Sequence, residues 1–295
     1  MKPWRVVTCI FLLFLRLPSA EAGTLAQFRT VFGDIEVELY DQDKPVTVQN
    51  FKRLVADGCY LNTFFHRLEP GFVIQGGGFA TPSRYSTNFF APPWSYLASV
   101  TNFGSITNEY GVGRFFSNTN GTIAMAKTSN PNSANSQFFF NLGNNSLSLD
   151  NTNNSGGFTV FGHVVHDTSG VLNLFNELAY GYGMIPMALL FPNDTLATNS
   201  FKTLPVTYLG TYYPRYRDVV FVDITLLQVA VKTMAGGAKE ISWNSATGMT
   251  NIVEFTTNFP PVWNLLFTTN GNGSTLKATD ASPGSGRFYR VRVVY

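Results

Sequence analysis

The sequence predicts a mainly β protein with two helices, followed by a smaller all-β module. Three observations carry that prediction. Apolar and polar residues alternate with a period of two in several short runs, most plainly where Ile35, Val37 and Leu39 interleave with Asp34, Glu36 and Glu38. Two stretches instead show helical spacing, Val48, Phe51, Leu54 and Val55 and then Val171, Leu174, Phe175 and Leu178, with Gly58 and Gly181 just beyond them. At 295 residues the chain is long for one ordinary domain. After Met234 it becomes a string of short strand candidates separated by Gly, Pro, Asn and Asp, so two units are expected.

At the start of the chain, Lys2 and Arg5 precede an apolar run from Val6 to Leu15, and Ala20-Glu21-Ala22 places small residues where signal peptidase reads them. Residues 1–22 are therefore expected to be a signal peptide cleaved after Ala22, making the protein exported, periplasmic or extracellular. As an uncleaved anchor, this segment would be the expected route to a membrane. Its apolar run is only about half of the roughly 20 residues a span needs, and Arg16 interrupts it. Charged residues make up 13% of the chain and the formal net charge is +2, so there is no basic field and no nucleic-acid partner is expected. Of the two cysteines, Cys9 falls in the signal segment. Cys59 then has no intramolecular disulfide partner and reads as a small buried thiol.

Ala26 to Tyr40 reads as a hairpin turning at Gly33-Asp34. Thr47 can cap the first helix, which Gly58 ends. Phe64 to Phe79 then reads as strand, turn and strand, with Glu69-Pro70-Gly71 as the turn and Phe72, Val73 and Ile74 resuming an apolar strand. A turn this tight can set Arg67 and Gln75 on one face with Phe72 between them, which makes a binding surface. Residues 81–113 show no steady period and read as a long loop that packs on itself.

A further apolar run, Gly121 to Ala126, leads to Ser136-Gln137-Phe138-Phe139-Phe140-Asn141. Asn144 to Gly157 is a polar loop, Phe158 to Val165 a strand, and the second helix follows. Residues 182–218 form another long insertion before a last strand of the first unit, Val219 to Val231. Residues 232–239 read as a linker and residues 240–295 as the small β-rich module. Its strand candidates lie around Ile241, 252–255, 262–267 and 275–278. In its last strand Tyr289, Val291, Val293 and Tyr295 alternate with Arg290 and Arg292, and Asn270-Gly271-Asn272-Gly273 marks a hairpin turn upstream.

The run Phe64-Phe65-His66-Arg67 with Pro70-Gly71-Phe72 and Gln75-Gly76-Gly77, together with Gly121 to Asn141, resembles the two signatures of the cyclophilins, in the right order and at the right separation. The Pro45 to Phe51 run and Ile106-Thr107-Asn108-Glu109 resemble bacterial members, and the likeness covers about residues 24–231. It implies a closed eight-stranded β-barrel capped by two α-helices, and a peptidyl-prolyl cis-trans isomerase acting on proline-containing polypeptides. By that resemblance Arg67 matches the catalytic Arg. Phe72, Val73, Phe139 and Leu149 match the proline pocket, while Gln75 and Gln137 match polar groups that hold the peptide and orient the Arg. Ala126 and Lys127 match a strand whose backbone binds substrate, and Phe158 stands where other members carry His or Tyr. Val73 stands where Met is frequent, and Lys127 where Asn or Arg is. Ser148 stands where eukaryotic members carry Trp, a ring that covers cyclosporin in drug-sensitive members, so weak cyclosporin binding is expected. The carboxy-terminal module resembles short modules of secreted bacterial proteins.

The chemistry so implied needs no nucleophile and no cofactor. Rotation about an X–Pro bond must cross a resonance barrier of roughly 18–20 kcal/mol. Binding the twisted amide more tightly than either planar form lowers that barrier. Other chemistries are poorly served. His66 belongs to the first signature. His163 and His166 fall three apart in an extended run, which turns them to opposite faces, so no metal is expected. The Gly76-Gly77-Gly78 triplet lacks the spacing of a nucleotide loop. Two other readings compete with an enzyme: a non-catalytic scaffold that binds proline-containing segments, and a surface interaction protein working through its long loops and carboxy-terminal module.

Overall fold

The computed structural model describes residues 24–167, 170–227, 229–245, 250–258, 260–272, 274–281, 283 and 286–294. The expected signal peptide, Gly273 and Tyr295 lie outside the described residues. No helix among those described is long and apolar enough to cross a membrane.

The first hairpin consists of β1 (Leu25–Thr30) and β2 (Gly33–Leu39), with Phe28 opposite Ile35. Helix α1 (Pro45–Ala56) buries Val48, Phe51 and Leu54, side chains whose burial stabilises by about 1.5–3 kcal/mol each. It starts three residues earlier than expected, with Pro45 in its first turn and Thr47 already inside it. Thr47 is not the cap. The carboxylate of buried Glu109 accepts the N–H groups of Val46 at 3.1 Å and Thr47 at 2.7 Å. A charged acceptor at a helix amino terminus suits both its unpaired donors and its dipole. Lys44, also buried, donates its Nζ to the carbonyl oxygens of Glu109 and Val112, so the end of the long loop clasps the start of the helix.

Next come β3 (Arg67–Glu69), β4 (Val73–Gly76), the short pair β5 (Phe79–Ala80) and β6 (Ala98–Ser99), β7 (Thr122–Met125), β8 (Phe138–Asn141), one helical turn α2 (Ser146–Leu149) and β9 (Val160–Asp167). Helix α3 (Val171–Glu177) is capped by the Asp167 carboxylate, which accepts the Val171 and Leu172 N–H groups at 2.7 and 3.1 Å. The short strand β10 (Ala179–Tyr180) leads into the second insertion, which contributes β11 (Tyr182–Ile185), α4 (Met187–Leu190), α5 (Thr195–Asn199) and β12 (Leu204–Leu209). The chain returns to the main sheet as β13 (Asp223–Leu227).

Eight strands form one antiparallel sheet in the order β13-β1-β2-β9-β7-β8-β4-β3. It curls around a core that includes Phe28, Phe51, Phe65, Phe138, Phe140, Phe161 and Phe175, drawing in both α1 and α3. The sheet is open rather than the closed barrel expected. Among the described residues no ladder joins its edge strands β13 and β3. Their approaches meet only at a bridge between Phe64 and Phe221, where Phe65 N–H donates to Val220 O at 2.9 Å and Val222 N–H to Thr63 O at 3.0 Å. The reason lies in the brevity of β3 and in its outer edge, where Leu68 N–H donates to Thr203 O of the second insertion at 2.8 Å.

The two long insertions pack on each other. Phe90 and Trp94 of the first join Met187, Phe201, Leu204, Val206 and Tyr216 of the second in a separate apolar cluster with Phe64 and Phe79. Backbone bonds from Phe90 N–H to Pro214 O (2.7 Å) and from Tyr216 N–H to Asn88 O (3.0 Å) seam them together, and the Trp94 indole donates to Asp194 at 3.1 Å. The loop at 81–113 therefore does not pack mainly on itself.

The carboxy-terminal strands are β14 (Val229–Thr233), β15 (Lys239–Asn244), β16 (Thr250–Thr256), β17 (Asn264–Asn270), β18 (Thr275–Asp280) and β19 (Phe288–Val294), arranged as two sheets, β14-β15-β18 and β17-β16-β19. Ile241, Trp243, Val253, Ala278 and Val291 fill the space between them. The single strand expected over Val219 to Val231 is two strands in different sheets. The stretch expected as a linker is the turn of the β14–β15 hairpin, where Met234 N–H donates to Ala238 O at 2.8 Å. The Asn270-Gly271-Asn272 segment is likewise no hairpin turn, because β17 pairs with β16 and β18 with β15. Arg290 and Arg292 of β19 both reach Glu254 on β16, at 2.7 and 2.9 Å.

Candidate active site

Register across the main sheet sets four residues in a row. Arg67 on β3 stands opposite Gln75 on β4, Gln75 opposite Phe139 on β8, and Phe139 opposite Ala124 on β7. Since side chains alternate across a strand, Val73, Gln137 and Ala126, each two residues from a member of this row, share its face. His66, Leu68, Ile74, Phe138 and Phe140 point the other way and are buried. The face itself carries Val73, Ala124, Phe139, Leu149 and Val160 as a small apolar cluster, with Phe72, Ala126, Phe158, Phe116 and Tyr40 packed around it. The ten expected site residues thus lie on this face or directly beside it: an apolar patch flanked by one guanidinium and two amides.

The amides are fixed. Gln75 Nε2–H donates to Gln137 Oε1 at 2.7 Å, and Gln137 in turn hydrogen-bonds the His66 imidazole. Burial, followed by the charge of neighbouring Arg67, pushes the His66 pKa down to about 3, so the ring is neutral and structural. Its edge meets Phe79, with ring centres 5.1 Å apart. The glycine triplet makes room for this pair. A Cβ on Gly78 would lie 3.0 Å from Gln137 Cδ and 3.1 Å from His66 Cε1. One on Gly77, whose φ is +74°, would strike Ser136 O at 2.5 Å.

Arg67 projects at the rim, its side chain 26% exposed, with Nη2 3.5 Å from Glu69 Oε1. Phe72 does not lie between Arg67 and Gln75, which face each other directly. It sits at the end of the turn, where its carbonyl accepts Leu142 N–H at 2.8 Å and Asn145 Nδ2–H at 2.7 Å. The role implied for Lys127 belongs to its backbone, and its side chain is engaged elsewhere. Nζ is turned onto the Ser155 carbonyl oxygen and lies 4.3 Å from the centre of the Phe158 ring, and burial lowers its pKa to about 8. The Ala126 N–H is already donated to Gln137 O at 2.9 Å. Ser148 leaves the rim open, its hydroxyl bonded back to Asn145 O at 3.1 Å.

Sequence reasoning missed two groups. One is a buried amide chain beneath the apolar patch. Asn145 donates to Asn141 at 2.7 Å, Asn141 to Asn118 at 3.1 Å and Asn118 to the Asp150 carboxylate at 2.8 Å, tying the Leu149 turn to β8. Asn141 could have been found as a polar side chain ending an otherwise aromatic strand. The other is Glu69, taken as a turn residue although it falls two positions from Arg67, where an extended strand presents both on one face.

The histidines expected on opposite faces share one. A bulge in the β2–β9 pairing brings His163 to 3.8 Å from Glu38 and His166 to 3.7 Å from Glu36. Among the described residues, no group of three or more His, Cys, Asp or Glu is arranged to hold a metal ion.

Residues 25–182 match the family described as cyclophilin type peptidyl-prolyl cis-trans isomerase/CLD. The chain is 39% identical over 165 residues to a peptidyl-prolyl cis-trans isomerase of Acinetobacter baylyi, covering 56% of this chain and 79% of that protein. It is 37% identical over 159 residues to peptidyl-prolyl cis-trans isomerase B of Escherichia coli, covering 53% and 87%. A crystal structure of a Cryptosporidium parvum cyclophilin type isomerase is matched at 22% identity over 68% of this chain and 98% of that one, with a TM-score of 0.43.

Proposed function

The chain belongs to the cyclophilin-type peptidyl-prolyl cis-trans isomerase family and is an isomerase of X–Pro peptide bonds; we propose that it works by holding the proline ring against the apolar patch while Arg67 donates to the amide nitrogen as the bond twists. The observation that carries this reading is the row from Arg67 through Gln75 and Phe139 to Ala124. It sets one fixed cation beside an apolar seat on rigid strands. In a planar amide the nitrogen lone pair is delocalised and accepts a hydrogen bond poorly. As the bond rotates the nitrogen becomes pyramidal, and a donor already in place stabilises that state more than the planar ground state.

The apolar seat is assigned to Phe72, Val73, Phe139 and Leu149, with Ala126 and Phe158 at its border. Gln75 and Gln137 hold the preceding peptide group. The substrates are proline-containing polypeptides. The charged start, apolar run and small residues of 1–22 support export to the periplasm or beyond, and so a role in folding exported chains.

Magnetisation exchange by NMR on a short X–Pro peptide tests the reading. Catalytic amounts of the protein should bring cis–trans exchange into the measurable range, and a protein that binds the peptide without speeding exchange would reduce it to a scaffold.

A further inference from the structure

The second insertion grips the strand that carries Arg67, and the grip extends to Arg67 itself. Leu68 N–H donates to Thr203 O at 2.8 Å, so the chain entering β12 runs beside β3. Glu69, on the same face as Arg67, offers one carboxylate oxygen to two partners. Its Oε1 accepts the Thr203 hydroxyl at 3.3 Å and lies 3.5 Å from Arg67 Nη2. Thr203 is anchored in turn. It is buried, as are Phe201 and Leu204 on either side, and the Phe201 ring lies 4.8 Å from Phe79 and 6.5 Å from His66, directly behind the row of site residues.

We propose that Glu69 is a positioning residue, held by Thr203, that fixes the Arg67 guanidinium in the orientation the reaction uses. The second insertion is then part of the catalytic apparatus. A long arginine side chain at a sheet rim has many rotamers, and a donor must be aimed before the amide twists to favour the twisted state. A single carboxylate anchored at its back by a hydroxyl from another segment supplies that aim. The inference rests on reading Arg67 as the donor.

The test uses the full chain with Glu69→Gln and Thr203→Val, checked for unchanged circular dichroism, alongside Arg67→Ala. Glu69→Gln should lower kcat about two- to fivefold, the range of a partly exposed ion pair, with KM within about twofold. Thr203→Val should act in the same direction and less. In the free protein, 15N relaxation at Arg67 Nε should show a lower order parameter in both variants, which a merely structural role would not produce. Unchanged kcat, a fall in kcat without loss of order at Arg67, or loss of order without a fall in kcat each overturns the inference. If Arg67→Ala itself leaves kcat intact, it is the reading of Arg67 as donor that has failed.

Discussion

The carboxylate of Glu109 accepts the backbone N–H of Thr47 at 2.7 Å across 62 residues of sequence, and so caps a helix to which it is not adjacent. Glu109→Ala would strand two helix donors, while leaving the Lys44 contacts to the Glu109 and Val112 carbonyl oxygens in place. Caps of this kind contribute about 0.5–2 kcal/mol. Urea denaturation should show a loss in the upper part of that range, while Glu109→Gln, which keeps an acceptor, should lose less.

Arg67→Ala should lower kcat/KM by about 10²–10³, the range for removal of one preorganised donor, with peptide Kd changed less than about threefold because the planar amide nitrogen is a weak acceptor. Exchange NMR gives the rate and titration calorimetry the affinity. A variant retaining more than about a tenth of kcat/KM contradicts the donor role.

His66 gives stability a pH dependence of definite sign. Its folded pKa, about 3, lies below the unfolded value near 6.5. Below pH 6.5 the unfolded chain therefore binds a proton that the folded one refuses. The contribution is complete above pH 6.5 and is lost progressively as pH falls toward 3, amounting to about 2 kcal/mol at pH 5. Comparing urea midpoints at pH 7 and 5 should show this, and His66→Gln should remove that share of the difference.

A chain ending after Leu227 keeps all eight strands of the main sheet and every site residue. Its kcat/KM should stay within about threefold of the full chain, as expected for parts that share no partners with the site. A larger fall in a truncated protein that remains folded would show that the carboxy-terminal strands reach substrate.

Cyclosporin should bind with Kd above about 1 μM, since the Ser148 hydroxyl is turned back onto Asn145 O and offers no ring over the apolar patch. Ser148→Trp should tighten binding by about tenfold or more, in keeping with the weight of buried indoles at interfaces. Titration calorimetry on both proteins checks the pair.

Local geometry could put Arg67 and Gln75 on one face, because they flank a tight turn, whereas Phe139, Leu149 and the rest of the seat were reached only through the family resemblance, since no local period joins strands so far apart in sequence. What escaped was everything decided by a distant partner. Periodicity reports which side of an element is apolar and is silent about what covers it. It could not say that Glu109 caps α1, that Phe90 and Phe201 meet, or that Thr203 stands behind Glu69. The bulge between His163 and His166 escaped for a related reason: one extra residue in the pairing reverses a parity that the sequence alone presents as regular. The hairpin at Val229–Asn244 was hidden by Gly236 and Gly237, whose composition suits a tight turn as well as a linker.

Strand order has a temporal side. Leu25 to Arg29, the first strand of the sheet to be synthesised, take as their outer neighbours Asp223 to Leu227, the last. About 200 residues must be made before that edge is covered, and closing so long a loop is entropically costly and slow. Until then the first hairpin presents one open strand edge beside an incomplete core, a configuration that invites pairing with other chains. An isomerase of X–Pro bonds is thus, for much of its own synthesis, a chain with an uncovered sheet edge.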